Sequence, residues 1–437
     1  GVTGLVVARS LSKRGALISI ADDQISAVEG FDVGPSKSYD AKNFDAIMVS
    51  PGWKPDHPLI SGANSAGVKL LNEIDLAWSF RADLAPKQRW IALTGTNGKT
   101  STVELIAAML REGGISAVAC GNVGTTVLES VESAENYDVL VLELSSFQLH
   151  WLREATFVAV AILNIAPDHV DWHGSFDNYA KAKLKLMNQS KKAIANKSDK
   201  ELATRIKDQS VIWFSLDTPK PGELGLVENL LIDRAFSPTP TEANEISEIV
   251  DITPTVPHNV LNALAAAALC LSIGISYESI KAGLQNFSTD HHRMEVVLNK
   301  NEITWVDDSK ATNPHAAIAS LQSYFNVIWI AGGLAKGASM DELAIRTAER
   351  IKSVILIGQD REIIAEAFAK HAPTIELIRV DQISDAKQLM VEVVNKAKNI
   401  AISGDTVLLA PACASMDQFD SYVERGQLFS QAVKAQA

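Results

Sequence analysis

Seven consecutive residues, Thr94-Gly95-Thr96-Asn97-Gly98-Lys99-Thr100, lie between an apolar run, Trp90 to Leu93, and a stretch from Ser101 to Arg111. In that stretch Ile106, Met109 and Leu110 fall on one helical face. A strand, a Gly-rich turn and a Lys-Thr pair opening a helix form a phosphate cradle. Backbone N–H groups and the helix N-terminus face the anion, the lysine adds a point charge, and the threonine hydroxyl can ligate Mg²⁺. The spacing is Gly-x-x-Gly-Lys-Thr, with Leu93 where a standard Walker A loop has its first glycine. The plain alternative is a Gly-rich turn with an exposed lysine. The flanking strand and helix weigh against it.

More groups with chemistry follow. The apolar stretch Tyr137 to Leu144 carries Glu143 near its end, and a carboxylate at the end of a buried strand beside a phosphate loop is where an NTPase holds Mg²⁺. The next apolar stretch, Phe157 to Asn164, leads into Asp168-His169 and Asp171-Trp172-His173, which suit metal or phosphate work as well as an ordinary polar loop. Lys181, Lys183 and Lys185 follow Tyr179 on a predicted helix, and Lys181 and Lys185 read as a solvated basic face. Further on come His291-His292-Arg293, then Asp307 to Asn313, then Gly332-Gly333-Leu334-Ala335-Lys336-Gly337. Together these place Arg293, Lys310 and Lys336 on loops beside one sheet edge, an arrangement for phosphates and carboxylates.

The elements that must position these groups read as α/β. The chain has 437 residues, enough for two to four domains. Its net charge of −12 argues against nucleic acid as the main partner. Cys120, Cys270 and Cys413 are sparse and odd in number, which fits a reducing compartment and no disulfide framework. No apolar run is long enough to span a bilayer, and no signal peptide is visible. Residues 1–88 alternate short strands and helices: a helix over Leu5 to Arg14, and strands at Ala16 to Ala21 and Phe44 to Val49. Gly1-Val2-Thr3-Gly4 reads as the end of a glycine loop whose preceding strand is absent. Ala82 to Arg89 reads as a linker. Residues 89–288 hold the phosphate loop, small antiparallel strands within Leu224 to Glu248, a Ser/Thr/Pro stretch at 237–241, and helices at Asn259 to Ser272 and Tyr277 to Asn286. Residues 289–437 repeat the α/β rhythm, with strands at Val327 to Ile330, Ser353 to Ile357, Ile375 to Val380 and Thr406 to Leu409.

Taken in order, these motifs resemble the Mur ligase family, the ATP-dependent amino-acid ligases of peptidoglycan synthesis. The resemblance rests on Thr94 to Thr100, Gly121-Asn122-Val123-Gly124, Glu143 to Leu149, Asn164 to His169, His292-Arg293 and Asp308 to Asn313. Ala410 to Phe419, and Ser50-Pro51-Gly52 with His57-Pro58 after it, resemble the D-glutamate-adding member. There are departures: Leu334 stands where some members have an acidic residue, Trp172 where Arg is frequent, and Ala166-Pro167 where Thr-Glu is common.

The resemblance implies three domains: an N-terminal Rossmann-like UDP-binding domain (1–88), a central P-loop-type ATPase domain with a parallel sheet and a small antiparallel part (89–288), and a C-terminal Rossmann-like amino-acid domain (289–437). It implies a cytoplasmic monomer that adds D-glutamate to UDP-N-acetylmuramoyl-L-alanine through an acyl phosphate, with ATP and two Mg²⁺. Val2, Thr3, Gly4, Asp22, Asp23, Gly52 and Asn122 would bind the UDP substrate, with Val2, Thr3 and Gly4 on a loop. Gly95, Thr96, Asn97, Gly98, Lys99, Thr100, Asn262, Arg293, Asp308 and Lys310 would bind ATP. Thr100, Glu143, His169 and a carbamylated Lys183 would serve the metals, and with Lys99 the catalysis; His169 is also a candidate general base. His292, Thr312, Lys336, Ser415 and Tyr422 would hold D-glutamate. Another ligase on this scaffold, such as a folylpolyglutamate synthase, is the neighbouring reading. A nucleotide-binding switch or hydrolase and a non-catalytic UDP-sugar binder are readings from other classes.

Overall fold

A computed structural model describes every residue except 208–209, 238, 240, 288–290, 382 and 437. The expected boundary at 288/289, and two positions of the 237–241 stretch, lie outside the described residues. The chain divides into two compact units, 1–165 with 172–287, and 166–171 with 288–437.

The first unit opens with the helix Val2–Ser12. Four short strands follow: β1 (Ser19–Ala21), β2 (Asp32–Gly34), β3 (Ala46–Met48) and β4 (Lys69–Leu71). They form two separate parallel pairs, β1 with β2 and β3 with β4. Residues of both pairs, among them Ile20, Ala21, Ala46 and Met48, line one apolar cavity of about 400 Å³. The helix Glu73–Leu84 reaches further into the expected linker than the sequence suggests, leaving only residues 85–88 before the next strand. It stops at Ala85 because Pro86 follows, and the residue before a proline avoids helical geometry.

Nine strands then build one sheet: β5 (Arg89–Thr94), β6 (Ala117–Gly121), β7 (Val139–Glu143), β8 (Ala159–Ile162), β9 (Ala193–Asn196), β10 (Ile212–Phe214), β11 (Glu223–Val227), β12 (Leu230–Asp233) and β13 (Asn244–Glu248). Their order is β13-β12-β11-β10-β9-β8-β5-β7-β6. From β6 to β11 the pairing is parallel, and β12 and β13 add an antiparallel edge to the same sheet. β7 and β8 are buried along their whole length, as parallel strands covered on both faces must be. One face packs on the helices Lys99–Glu112 and Pro257–Ser272, the second of them Ala-rich and mostly buried. The other face packs on Val127, Leu128, Leu149 and Leu152.

In the second unit β14 (Glu295–Lys300), β15 (Ile303–Asp307), β16 (Val327–Gly332), β17 (Ile351–Ile357), β18 (Glu376–Arg379) and β19 (Thr406–Leu409) form a sheet ordered β14-β15-β19-β16-β17-β18. Only β14 runs antiparallel. Helices Pro314–Leu321, Asp341–Thr347 and Arg361–His371 cover one face, and Ala386–Ile400 and Tyr422–Gln436 cover the other. Among the described residues no helix is long and apolar enough to cross a membrane. All three cysteines are buried and free.

Candidate active site

In the first unit the phosphate loop leaves the C-terminal end of β5, the strand flanked by β7 and β8. Open parallel sheets bind ligands at such carboxyl ends. Gly98 starts the helix Lys99–Glu112 in a left-handed conformation, φ +80°. A Cβ there would stand 2.6 Å from Asn262 Oδ1, so the loop and the expected adenine-side residue are in contact. The Lys99 ammonium donates to the Gly95 and Thr96 carbonyls, at 3.0 Å each. Asn164 brackets the loop: its Oδ1 accepts from Asn97 N–H at 2.8 Å, its Nδ2 donates to the Asn97 carbonyl at 3.1 Å, and its own carbonyl accepts from Thr96 N–H at 3.0 Å. The sequence motif contains Asn164 but assigns it no such work.

Glu143 ends β7 in register with Leu93 on one side and Gly121 on the other. It is buried, and its Oε1 accepts from Asn122 Nδ2 at 2.7 Å. Its Oε2 is buried with no hydrogen-bond partner among the described residues. A buried carboxylate oxygen left unpaired is costly, and a cation satisfies it. This fits a Mg²⁺ ligand. Lys183 is buried too: its ammonium donates to the Gly95 carbonyl at 2.8 Å and to Thr94 Oγ1 at 3.3 Å, and lies 4.8 Å from the Tyr179 ring centroid. Tyr179 OH meets Thr96 Oγ1 at 2.9 Å. Thr94 and Tyr179 are thus neighbours of Lys183, to which the sequence reading gave no individual role. Lys181 is exposed and paired with Asp177 at 2.6 Å, as expected of a solvated face. Lys185 is not solvated: its ammonium caps the last carbonyls of the helix Ser146–Trp151, including Leu149 at 3.2 Å, and burial lowers its pKa to about 8.

The expected UDP-binding residues divide. Gly4, Asp22 and Gly52 line the apolar cavity. Val2, Thr3 and Gly4 are not on a loop but in the first turn of the helix Val2–Ser12, with Gly1 at its N-cap. Asp22 accepts from the N–H groups of Gln24 and Ile25, which hold its carboxyl below the usual range. Asp23 turns to Ser36, accepting from its N–H at 2.7 Å and its hydroxyl at 2.9 Å, with the same effect on its pKa. The departure Trp172 has a partner: its indole N–H donates to the Gly52 carbonyl at 2.9 Å, and its ring lies 4.9 Å from Phe147.

In the second unit the loops after β15, β16 and β19 leave the same sheet edge, and Arg293, Lys310 and Lys336 sit on loops there, as the sequence predicts. The Lys310 ammonium lies 3.7 Å from the Tyr422 ring centroid. Thr312 N–H donates to the Lys310 carbonyl at 2.8 Å. Lys336 is exposed at φ +50°. Leu334 exchanges backbone hydrogen bonds with Ala414, at 2.9 and 3.0 Å, which brings the Lys336 loop to the one carrying buried Ser415. His169, on the 166–171 segment, has φ +50° and an ion-pair contact with Asp168 at 3.6 Å.

Two expected ligand contacts point inward instead. The His292 ring is buried, its Nδ1 2.7 Å from Asp307 Oδ2, and the Asp307 contact raises its pKa. Asp308 is buried beneath its loop, accepting from Ser320 Oγ and from Met294 N–H at 3.3 Å, and burial pushes its pKa to about 7. Both side chains brace the loops that carry Arg293 and Lys310. His292, Glu295 and Asp307 each bring one ligand-type atom within 4.8 Å of the others, but hydrogen bonds already engage all three.

Two family models match the chain: the Mur ligase middle domain at residues 93–270, and the Mur ligase, glutamate ligase domain at residues 292–413. The UDP-N-acetylmuramoylalanine--D-glutamate ligase of Thermobifida fusca is 45% identical over 457 residues, spanning 100% of this chain and 97% of the relative. The enzyme of that name from Streptomyces avermitilis is 42% identical over 455 residues, spanning 99% and 96%. Among solved structures, a pseudomurein peptide ligase type C from Methanothermus fervidus superposes with a TM-score of 0.64 at 18% identity, covering 100% of this chain and 98% of that one. MurF ligase from Thermotoga maritima in complex with ADP gives 0.59 at 18% identity, covering 90% of each. These structural likenesses concern the fold.

Proposed function

This chain belongs to the Mur ligase family, and from that premise we propose that it is the ATP-dependent ligase that joins D-glutamate to UDP-N-acetylmuramoyl-L-alanine in peptidoglycan precursor synthesis. The observation that carries the amino-acid assignment is the backbone bridge between Leu334 and Ala414, which pairs the Lys336 loop with the Ser415 loop. A cation and a hydroxyl on facing loops suit a dicarboxylate substrate.

The chemical problem is a carboxylate, which is a poor electrophile. The L-alanyl carboxylate oxygen attacks the γ-phosphorus of ATP, the bond to the β-phosphate oxygen breaks, and ADP leaves. The D-glutamate amine then attacks the acyl carbon and forms the C–N bond, the C–O bond breaks with its electron pair leaving on phosphate, and the amine nitrogen gives up its proton to solvent. Backbone N–H groups of residues 98–100, at the start of the helix Lys99–Glu112, and the Lys99 ammonium bind the transferred phosphoryl group and offset its charge. Asn164 holds that loop in shape. Asn122, fixed by Glu143, would meet the reacting end of the nucleotide-sugar.

Thr100 and Glu143 would hold Mg²⁺. When bound, the metal supplies Lewis-acid neutralisation of the phosphate oxygens. On Lys183 a carbamate would turn a buried cation into an anion while its N–H keeps a donor for the Gly95 carbonyl. Gly4, Asp22 and Gly52, with Trp172 steadying Gly52, form the UDP-substrate side. The reading places a monomeric enzyme in the cytoplasm and keeps residues 1–88, 89–288 and 289–437 as its three domains.

Ser415→Ala and Lys336→Ala test the amino-acid site. Each raises the KM for D-glutamate tenfold or more and leaves the KM for ATP within twofold. An equal rise for both substrates refutes the assignment.

A further inference from the structure

The segments of the second unit that carry the proposed ligand-binding residues meet on one buried chain of polar contacts. Arg425 is fully buried on the helix Tyr422–Gln436. Its Nε donates to Ser309 Oγ at 3.0 Å, and its Nη2 donates to the Ser309 carbonyl at 2.9 Å. Both terminal nitrogens donate to the Cys413 carbonyl at 3.3 Å. Ser309 passes the chain on: its Oγ donates to the Tyr422 carbonyl at 2.8 Å, and its N–H donates to Asp307 Oδ1 at 2.9 Å. Asp307 Oδ2 ends the chain at His292 Nδ1, 2.7 Å away. One guanidinium thus touches the loop bearing Lys310 and Thr312 and the loop bearing Ser415, from the helix that begins at Tyr422.

Among the described residues the hydrogen-bond partners of this guanidinium are neutral oxygens, two carbonyls and a hydroxyl, while the Asp417 and Asp307 carboxylates act on it only as nearby charges. Burying a cation that no carboxylate hydrogen-bonds directly is costly, and an apolar side chain of similar volume would fill the same space more cheaply. The planar fork does what an apolar side chain cannot: it fixes the spacing between two loop backbones. The packing around it leaves little slack. A Cβ on the neighbouring Gly426 would stand 2.2 Å from His292 Nδ1 and 2.7 Å from Asp307 Oδ2.

We propose that Arg425 is a positioning residue of the D-glutamate site, its guanidinium setting the distance between the Lys310–Thr312 loop and the Ser415 loop. This rests on the reading that those loops hold D-glutamate. Arg425 itself touches no substrate. A lysine keeps the charge but cannot reach two carbonyls and a hydroxyl in one plane, so charge and fork are separable.

The test is steady-state kinetics on the full chain, with thermal melting in parallel, for Arg425→Lys, Arg425→Met and the control Phe429→Leu. Phe429 is buried on the same helix and packs near Trp305 in an apolar cluster, with no polar atom of its own to bridge the two loops. Both Arg425 variants raise the D-glutamate KM tenfold or more, with the KM for ATP and for the nucleotide-sugar within twofold. Phe429→Leu lowers the melting temperature without moving the D-glutamate KM. Wild-type kinetics in Arg425→Lys overturn the proposal, because charge alone then suffices. A parallel rise in all three KM values overturns it, as does a D-glutamate effect of equal size in Phe429→Leu. Wild-type turnover with a different amino acid refutes the functional reading and not the clamp, whose KM split is then read for that amino acid.

Discussion

Gly98→Ala isolates the backbone requirement of the phosphate loop. Gly98 sits at φ +80°, where an L-residue with a Cβ costs about 1–2 kcal/mol. The new methyl would also stand 2.6 Å from Asn262 Oδ1, so that side chain must move. The strain can surface in two ways. If the loop keeps its shape, the folded state loses about 1–2 kcal/mol and melts lower. If the loop relaxes when empty, ATP binding must restore it, and the same energy comes off affinity. At about 1.4 kcal/mol per factor of ten, that is about a 5- to 30-fold weaker ATP interaction. Displacing Asn262 adds to the ATP side in either case. The assay is chemical denaturation together with ATP titration, and the two losses should total at least about 1 kcal/mol. Gly62→Ala is the control: Gly62 lies in the helix Pro58–Ala66, and its nearest contact for a Cβ is Ala41 at 3.9 Å. Alanine there should be neutral or stabilising. Unchanged stability and unchanged ATP affinity in Gly98→Ala would refute the strained-cradle account.

Two further perturbations follow from buried charge. Glu73 is buried, with a pKa raised to about 7, chiefly by desolvation, and it accepts from Leu128 N–H at 2.6 Å. A carboxyl with a raised folded pKa binds its proton more tightly in the folded state, so wild-type stability falls as pH rises from the unfolded value through about 7. Glu73→Gln keeps the acceptor and removes that loss, gaining on wild type by up to about 3 kcal/mol between pH 4.5 and 8, at 1.36 kcal/mol per unit; a pH-independent difference in denaturation midpoints contradicts this. Lys183→Ala loses activity and regains part of it with added short-chain carboxylates, whereas full activity without rescue removes the carbamate proposal.

The parts of the site that lie close along the chain were legible from sequence. β5, β7 and β8 read as strands because parallel strands buried on both faces are continuous apolar runs, and Glu143 and the phosphate loop stand out at their ends. Helix ends moved where local signals were weak, as at Val2 and Leu84. What stayed hidden depends on contacts between distant residues. Asn164 brackets Asn97 from 67 positions away, and Trp172 reaches Gly52 across 120. Arg425 sits among polar residues at a helix start, where an arginine ordinarily faces water, and nothing local announces that Ser309 and Cys413 enclose it. Lys185 was misjudged for the same reason: a polar side chain's direction is set by its partner, here the carbonyls of a neighbouring helix.

The central claim is tested most directly by phosphate release from ATP in the presence of UDP-N-acetylmuramoyl-L-alanine and a panel of amino acids that includes both enantiomers of glutamate, with the product mass determined. The account predicts release that needs both the nucleotide-sugar and D-glutamate, with one new amide per phosphate. Release that is indifferent to the amino acid, or that proceeds with L-glutamate in preference to D-glutamate, would contradict it.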